Sequence, residues 1–304
     1  MNGCDRSGLM TVEEALEKLL AAAQPLSDTE TVSLMQALGR VLAADQQSPV
    51  DVPPADNSAM DGFALRFADC HAGEETTLPI SQRIPAGAVP EPLQPGSAAR
   101  IFTGAEVPPG ADTVVMQEQC RWDDARVTLA ADIKSGTNIR PIGQDIHRGA
   151  TVLVRGHRLK PQDLGLLASV GIAEVPVYRR LKVALLCTGD ELVEPGEPLP
   201  PGHIYNSNRF TLMGQLQALA FDYVDLGRVA DTPEATEQAL RRAAAEADCI
   251  ISSGGVSVGD EDHVKGCVEK LGSLDLWRMA IKPGKPLAFG QVQGTPFIGL
   301  PGNP

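Results

Sequence analysis

Ile251-Ser252-Ser253-Gly254-Gly255-Val256-Ser257-Val258-Gly259-Asp260-Glu261-Asp262 is the stretch on which the fold of this 304-residue chain turns. Before it, Asp248-Cys249-Ile250-Ile251 is a short apolar run of buried-strand type. After it, Val264, Cys267, Val268 and Leu271 recur at helical spacing. The glycines therefore stand between a strand and a helix. There, free backbone N–H groups and the positive end of the helix dipole favour an anion. Three carboxylates crowd the same turn, and acids beside an anion call for a divalent cation to reconcile them. A glycine turn with acidic helix caps accounts for the pattern equally well when it is taken alone.

Working outward, the same strand-to-helix alternation extends upstream. Leu181–Cys187 is a near-continuous apolar run that ends in Thr188-Gly189-Asp190-Glu191-Leu192. A Pro-rich loop follows, then a helix opened by Asn206-Ser207-Asn208-Arg209 and continuing through Phe210 to Ala220. Tyr223–Gly227 reads as a strand, and Thr232 and Pro233 open the next helix as N-cap and N1. Leu276–Ile281, Pro286–Gln291 and the apolar run at Phe297 read as further strands, with Lys282-Pro283-Gly284-Lys285 between the first two. This is the pattern of an open, mainly parallel sheet covered by helices. Such sheets bind ligands beyond the carboxyl ends of their strands. Three of those ends carry acids: Glu191, Asp231 and Asp262. Asp231 also fits a plain helix-start residue. The coincidence favours a metal-assisted anion site over a capped turn.

The first 180 residues read differently. Thr11 and Glu14 form a capping box for a helix reaching about Ala23. Glu30–Leu42 suits a helix or a strand equally. Residues 50–66 read as a long polar loop, with Asp61 its best candidate for delivery into a site. Pro79–Ile84, Ala98–Thr103, Thr113–Glu118 and Arg126–Leu129 are short β segments between Pro/Gly turns, an all-β module. Asn138 to Ile146 is a second polar loop, pairing Arg140 with Asp145. Pro161–Val170 reads as a helix with Pro161 near N1 and Gly171 at C′.

Composition narrows the function. At 43% hydrophobic the chain has ample core material, and its length suggests two or three domains. The net charge of −13 argues against a nucleic-acid surface, so an anionic ligand must meet a local basic patch. Six scattered cysteines without a Cys-x-x-Cys or Cys/His cluster point to reduced thiols in a cytoplasmic setting. Neither a signal-peptide pattern nor a run of 18 apolar residues occurs, so a membrane span is not expected.

Eight separate motifs then occur in order: Asp56-Asn57-Ser58-Ala59-Met60-Asp61-Gly62-Phe63, Thr103-Gly104-Ala105, Val115-Met116-Gln117-Glu118, Asn138-Ile139-Arg140 with Asp145, Thr188 to Leu192, Ser252 to Gly259, Lys282 to Pro286, and Gly299-Leu300-Pro301-Gly302-Asn303-Pro304. Together they resemble the molybdopterin molybdenumtransferases, the family of bacterial MoeA and of the gephyrin E domain, over nearly the whole chain. The resemblance implies a multidomain, elongated α/β plus β-rich subunit. Its parts would be a discontinuous linker/helical domain (8–48 and 148–178), a β-rich inserted domain (49–147) and an α/β molybdopterin-binding domain (179–304). It implies Mg²⁺-dependent insertion of molybdate into adenylylated molybdopterin, with release of AMP. It also implies a homodimer with its active site at the subunit interface, and contacts with molybdopterin adenylyltransferase and molybdoenzymes.

Carried over by position, the catalytic residues would be Asp61, Asp145, Glu191, Asp262 and Lys282, with Glu191, Asp231 and Asp262 serving Mg²⁺. Substrate would be bound by Thr103, Arg140, Thr188, Gly254, Gly255, Ser257, Gly259, Arg278 and Lys285. Arg278 stands where some members carry lysine; the charge is kept, but not the geometry. The chain stops where the family continues into Val-Ser, a helix and a further β-rich domain, so a fragment that is inactive by itself is expected. A molybdopterin adenylyltransferase, a CinA-like enzyme and a gephyrin-type scaffold are the alternatives. The N-terminal motifs count against the first, Asp56–Phe63 and Lys282–Pro286 against the second, and the retained acids against the third.

Overall fold

The computed structural model describes residues 9–255, 263–280 and 286–302. The chain divides into two compact units, Met1–Glu30 with Val177–Pro304, and Thr31–Pro176. Among the described residues no helix is long and apolar enough to cross a membrane. The five described cysteines are all free.

Helix α1 (Val12–Ala22) starts with the expected capping box. Thr11 Oγ1 accepts from Glu14 N at 3.1 Å, and Glu14 Oε2 accepts from Thr11 N at 2.8 Å. Its Ala15 is buried with Met279 and Leu287, so the helix belongs to the same unit as the C-terminal half. The ambiguous stretch after it is divided: Thr29–Ser33 is a strand and Leu34–Ala37 a short helix.

The unit Thr31–Pro176 is built on strands β1 (Asn57–Ser58), β2 (Gly62–Leu65), β3 (Thr76–Ile84), β4 (Ala98–Ile101), β5 (Thr113–Met116), β6 (Cys120–Trp122), β7 (Arg126–Leu129) and β8 (Ile139–Arg140). Six of them form one sheet in the order β5-β2-β4-β3-β7-β6. Strand β2 corrects the reading of residues 50–66 as one loop. Its four residues are all buried, paired on one side with β4 and on the other with β5. Phe63 and Leu65 enter one core and Ala64 another, as a two-residue period requires. Four residues are too few for periodicity to reveal a strand; two flanking partners create it. Gly62 is required there, because a Cβ would lie 2.0 Å from Val115 O. Helix α2 (Pro161–Ser169) follows, with Pro161 in its first turn as expected.

The other unit contains β9 (Lys182–Thr188), α3 (Ser207–Ala218), β10 (Asp222–Val229), α4 (Pro233–Glu246), β11 (Cys249–Ser253), α5 (His263–Leu271), β12 (Gly272–Arg278), β13 (Pro286–Val292) and β14 (Thr295–Leu300). The strands form one six-stranded sheet in the order β10-β9-β11-β14-β13-β12. The first four run parallel, and β13 and β12 add an antiparallel edge. Residues Val183–Thr188 of β9, flanked by β10 and β11, are all buried, which is why the run lacks polar alternation. Val264, Cys267 and Val268 of α5 and Leu240 and Ala243 of α4 close the core over Ala184, Ile250 and Phe297. Burying a side chain such as Phe297 contributes roughly 2–3 kcal/mol.

At the amino-terminal edge of this sheet Arg179 forks onto Asp248, with both N–H···O distances 2.6 Å, and Lys182 N donates to Asp248 Oδ2 at 2.8 Å. The Arg179 bonds, chiefly, hold the Asp248 carboxyl below its usual range, against the opposing effect of burial. A lowered carboxyl stabilises the fold above the unfolded-state value, near 3.8, and the contribution disappears as pH falls through the folded value. Asp248→Asn is therefore expected to cost about 1–2 kcal/mol at neutral pH, a figure already reduced for solvent screening. The gap to wild type should close below about pH 4, as measured by urea melts across pH.

Candidate functional site

Four stretches far apart in sequence meet in the unit Thr31–Pro176. Strand β1 pairs with β8, setting Asn57 against Arg140 and Ser58 against Ile139. Gly104 N donates to Ser58 O at 2.8 Å, and Ser58 N to Ala105 O at 2.9 Å. Ala59 N donates to Asn138 O at 2.9 Å, and Gln117 N to Asp61 O at 3.0 Å. The motifs at 56–63, 103–105, 115–118 and 138–145 thus form one backbone-bonded cluster.

Within it, Asp61 Oδ1 accepts from Thr103 N at 2.8 Å and from Thr103 Oγ1 at 2.7 Å. These two bonds, first the backbone one, hold the Asp61 carboxyl below its usual range; the Arg100 charge adds to them, and partial burial opposes them. Asp61 is thereby kept ionised and aimed. The proton of the Thr103 hydroxyl, expected to go to substrate, is donated to Asp61. Arg140 Nη2 lies 2.6 Å from Asp145 Oδ2, both side chains nearly half exposed. That pair is the one expected from the loop, and each member moderates the charge of the other.

The second cluster lies in the other unit. The sheet register pairs Thr188 with Val229, Cys187 with Ser253, and Ser253 with Leu300. The four parallel strands therefore end level, and the segments after residues 188, 229, 253 and 300 leave from one edge. Glu191 and Asp231 sit in the first two of these segments. Gly254 and Gly255 begin the third, at φ +91° and +70°. A Cβ on Gly254 would lie 2.7 Å from Thr188 O, and one on Gly255 would lie 2.3 Å from Val264 Cγ2. Thr188 is thus packed directly against the glycine turn. Gly254 N donates to Leu300 O at 3.1 Å, so it anchors the turn and is not free for a ligand. Gly255 N has no partner among the described residues. A small cleft here is lined by Thr188, Glu191, Asn206, Asn208, Ser253 and Gly302.

Asn208 was not singled out from sequence. Its Nδ2 donates to Ser253 Oγ and to Gly302 O, both at 3.0 Å, tying the start of α3 to two strand ends. The only signal available was its place in an Asn-rich helix opening. Arg278 ends β12 opposite Pro286 and is exposed, two strands from β14. Ser257, Gly259, Asp262, Lys282 and Lys285 lie outside the described residues.

The acids on these strands and the segments after them divide into two kinds. Glu194 and Asp225 are both bound by Arg209, at 2.6 Å and 2.5 Å. Glu191 and Asp231 have no cationic partner among the described residues. The Glu191 carboxylate folds back over Gly189, its Oε2 lying 2.6 Å from where a Cβ would stand. No group of three His, Cys, Asp or Glu close enough to enclose a metal occurs among the described residues. Mg²⁺ does not need such a cage: it is held by one or two carboxylates, waters and substrate oxygens. The hard oxygen donors of Glu191 and Asp231 fit that pattern.

Known proteins resemble the chain along both units. Residues 10–171 match the MoeA N-terminal region (domain I and II), and residues 184–304 match the family described as "probable molybdopterin binding domain". The chain is 45% identical to a molybdopterin molybdenumtransferase of Haemophilus influenzae, over 97% of this chain and 73% of that one. It is 42% identical to a protein of the same name from Nostoc, over 91% of this chain and 65% of that one. The crystal structure of a molybdopterin biosynthesis MoeA protein from Pyrococcus horikoshii superposes with a TM-score of 0.83 at 32% identity, covering 97% of this chain and 74% of that one. Relatives of this similarity, matched along both units, mean that the chain belongs to the molybdopterin molybdenumtransferase (MoeA) family.

Proposed function

We propose that this protein is a transferase of molybdenum cofactor biosynthesis that inserts molybdate into adenylylated molybdopterin, releasing AMP in a Mg²⁺-dependent step. The observation that carries the reading is the level ending of four parallel strands, which gathers the glycine turn and the acids Glu191 and Asp231, without a cationic partner among the described residues, at one edge. Glu191 and Asp231, with Asp262, would hold Mg²⁺. When bound, the ion offsets phosphate charge and polarises phosphorus.

The chain's own residues supply the rest. The Gly255 N–H and the starts of α3 and α5 favour the phosphate-bearing part of the substrate. Lys282, Lys285, Arg278 and Arg140 would meet the molybdate dianion. Asp61 and Asp145 would act at the reacting centre, Asp61 as an ionised carboxylate aimed by Thr103. The family's three-part domain division, a homodimer with its site at the subunit interface, contacts with molybdopterin adenylyltransferase and molybdoenzymes, and a cytoplasmic setting belong to the same reading.

The test is AMP release from adenylylated molybdopterin by the full-length protein. It should require molybdate, fall at least about 100-fold on removal of divalent cations and return with Mg²⁺. Asp262→Ala should abolish it. Release at an undiminished rate without molybdate, or in Asp262→Ala, contradicts the assignment.

A further inference from the structure

The motif Val115-Met116-Gln117-Glu118 runs from the end of β5 to the residue that bonds the Asp61 carbonyl, Gln117. Its side-chain partner is Arg100, on β4 directly opposite Phe63 of β2. The Arg100 guanidinium carbon lies 4.9 Å from the ring centre of Phe63, 5.0 Å from that of Phe102 and 4.8 Å from that of Trp122. Nη1 donates to Gly62 O at 3.2 Å, and Nη2 donates to Gln117 Oε1. Gln117 in turn donates its backbone N–H to Asp61 O at 3.0 Å. Arg100 therefore grips the residue that follows Asp61 and the residue that bonds the Asp61 carbonyl. Among the described residues it has no carboxylate partner within contact distance; its charge meets aromatic faces and neutral oxygens.

We propose that Arg100 is a positioning residue for the reaction, clamping Gly62 and Gln117 so that the Asp61 carboxylate stays seated against Thr103 and aimed at substrate. This rests on the reading of Asp61 as a catalytic acid. Only a planar guanidinium can lie against ring faces and donate in its own plane to two separate acceptors. A lysine would keep the charge and lose the fork. The Arg100 charge also reaches Asp61 and helps to hold the proton off it.

The experiment compares Arg100→Lys, Arg100→Met and Asp61→Asn with wild type. It uses kcat and KM for AMP release across pH, and titrates the Asp61 side-chain carboxyl by ¹³C NMR. Arg100→Met is expected to lose about 10- to 100-fold in kcat with KM changed less than about twofold, as misaimed catalytic groups do. Its Asp61 titration and the acid limb of kcat/KM should both move to higher pH, because the Arg100 charge that helps to lower the carboxyl is gone. Arg100→Lys should leave the titration near wild type while still losing about 10-fold in kcat. General damage to the fold would lower the amplitude without moving the acid limb, and would overturn the proposal. So would wild-type kcat and an unmoved titration in Arg100→Met while Asp61→Asn is inactive; that pattern leaves the role of Asp61 standing. Wild-type AMP release in Asp61→Asn removes the catalytic reading itself, and the proposal with it.

Discussion

Asp61→Asn should lower the rate of AMP release by at least about 100-fold, the scale associated with a positioned acid or base. Asparagine keeps the shape of the side chain. Its amide oxygen can still accept from Thr103 N and Thr103 Oγ1, which now lie 2.8 Å and 2.7 Å from the Asp61 carboxylate. The substitution therefore removes the charge and leaves the seat. The fold should be little affected, because Asp61 lies at the surface end of the buried β2 and contributes nothing to its cores. The measurement is a pair: steady-state AMP release and a thermal melt. A large loss of kcat with an unchanged melt isolates the chemistry. A variant that retains activity would show that the Thr103 bonds merely finish a turn.

Gly255→Ala should produce the largest loss of stability. At φ +70° an alanine pays the left-handed backbone cost, about 1–2 kcal/mol. Its Cβ would also stand 2.3 Å from Val264 Cγ2, 2.8 Å from Val264 Cβ and 2.9 Å from Thr188 Oγ1. Val264 is fully buried in the core, so it cannot swing away freely. Overpacking of this kind adds about 1–3 kcal/mol. The sum, about 2–5 kcal/mol, corresponds to a drop of roughly 5–15 °C in Tm for a unit of this size. Gly196→Ala is the control. It has φ +97° but no atom within 4 Å of the added Cβ, so it carries backbone strain alone. Calorimetry of both variants separates the two causes. Equal melting points would mean that the glycine turn is not held by close packing. If the turn binds the phosphate end of the substrate as proposed, KM for the adenylylated substrate should rise in Gly255→Ala alone.

The two units were legible to different degrees, for a physical reason. In the α/β unit, elements are long and each buries a continuous face. The apolar run Leu181–Cys187 and the spacing of Val264, Cys267 and Val268 announced β9 and α5 within a residue or two. Caps were legible because they are local: Thr11 with Glu14, and Thr232 before Pro233, bond within three residues. In the β-rich unit, Gly62–Leu65 was hidden inside a polar loop because its strand character comes from β4 and β5, whose partner residues lie 33 to 54 positions away. The edge pair β12 and β13 was likewise expected as strands, with no local signal for its antiparallel sense.

For the site, sequence alone determined the residue types and their order. Acids at successive strand ends, a glycine turn before a helix and two polar loops are written in the chain, and the motifs identify the family. Which of these groups meet was decided by tertiary structure. Thr103 is turned onto Asp61 across 42 residues, Asn208 ties Ser253 to Gly302, and Arg209 engages Glu194 and Asp225 while Glu191 and Asp231 carry no such partner among the described residues. Spacing along a chain fixes which face of its own element a side chain occupies. Hydrogen-bond partners across a sheet are fixed only by strand order and register, and those belong to the folded whole.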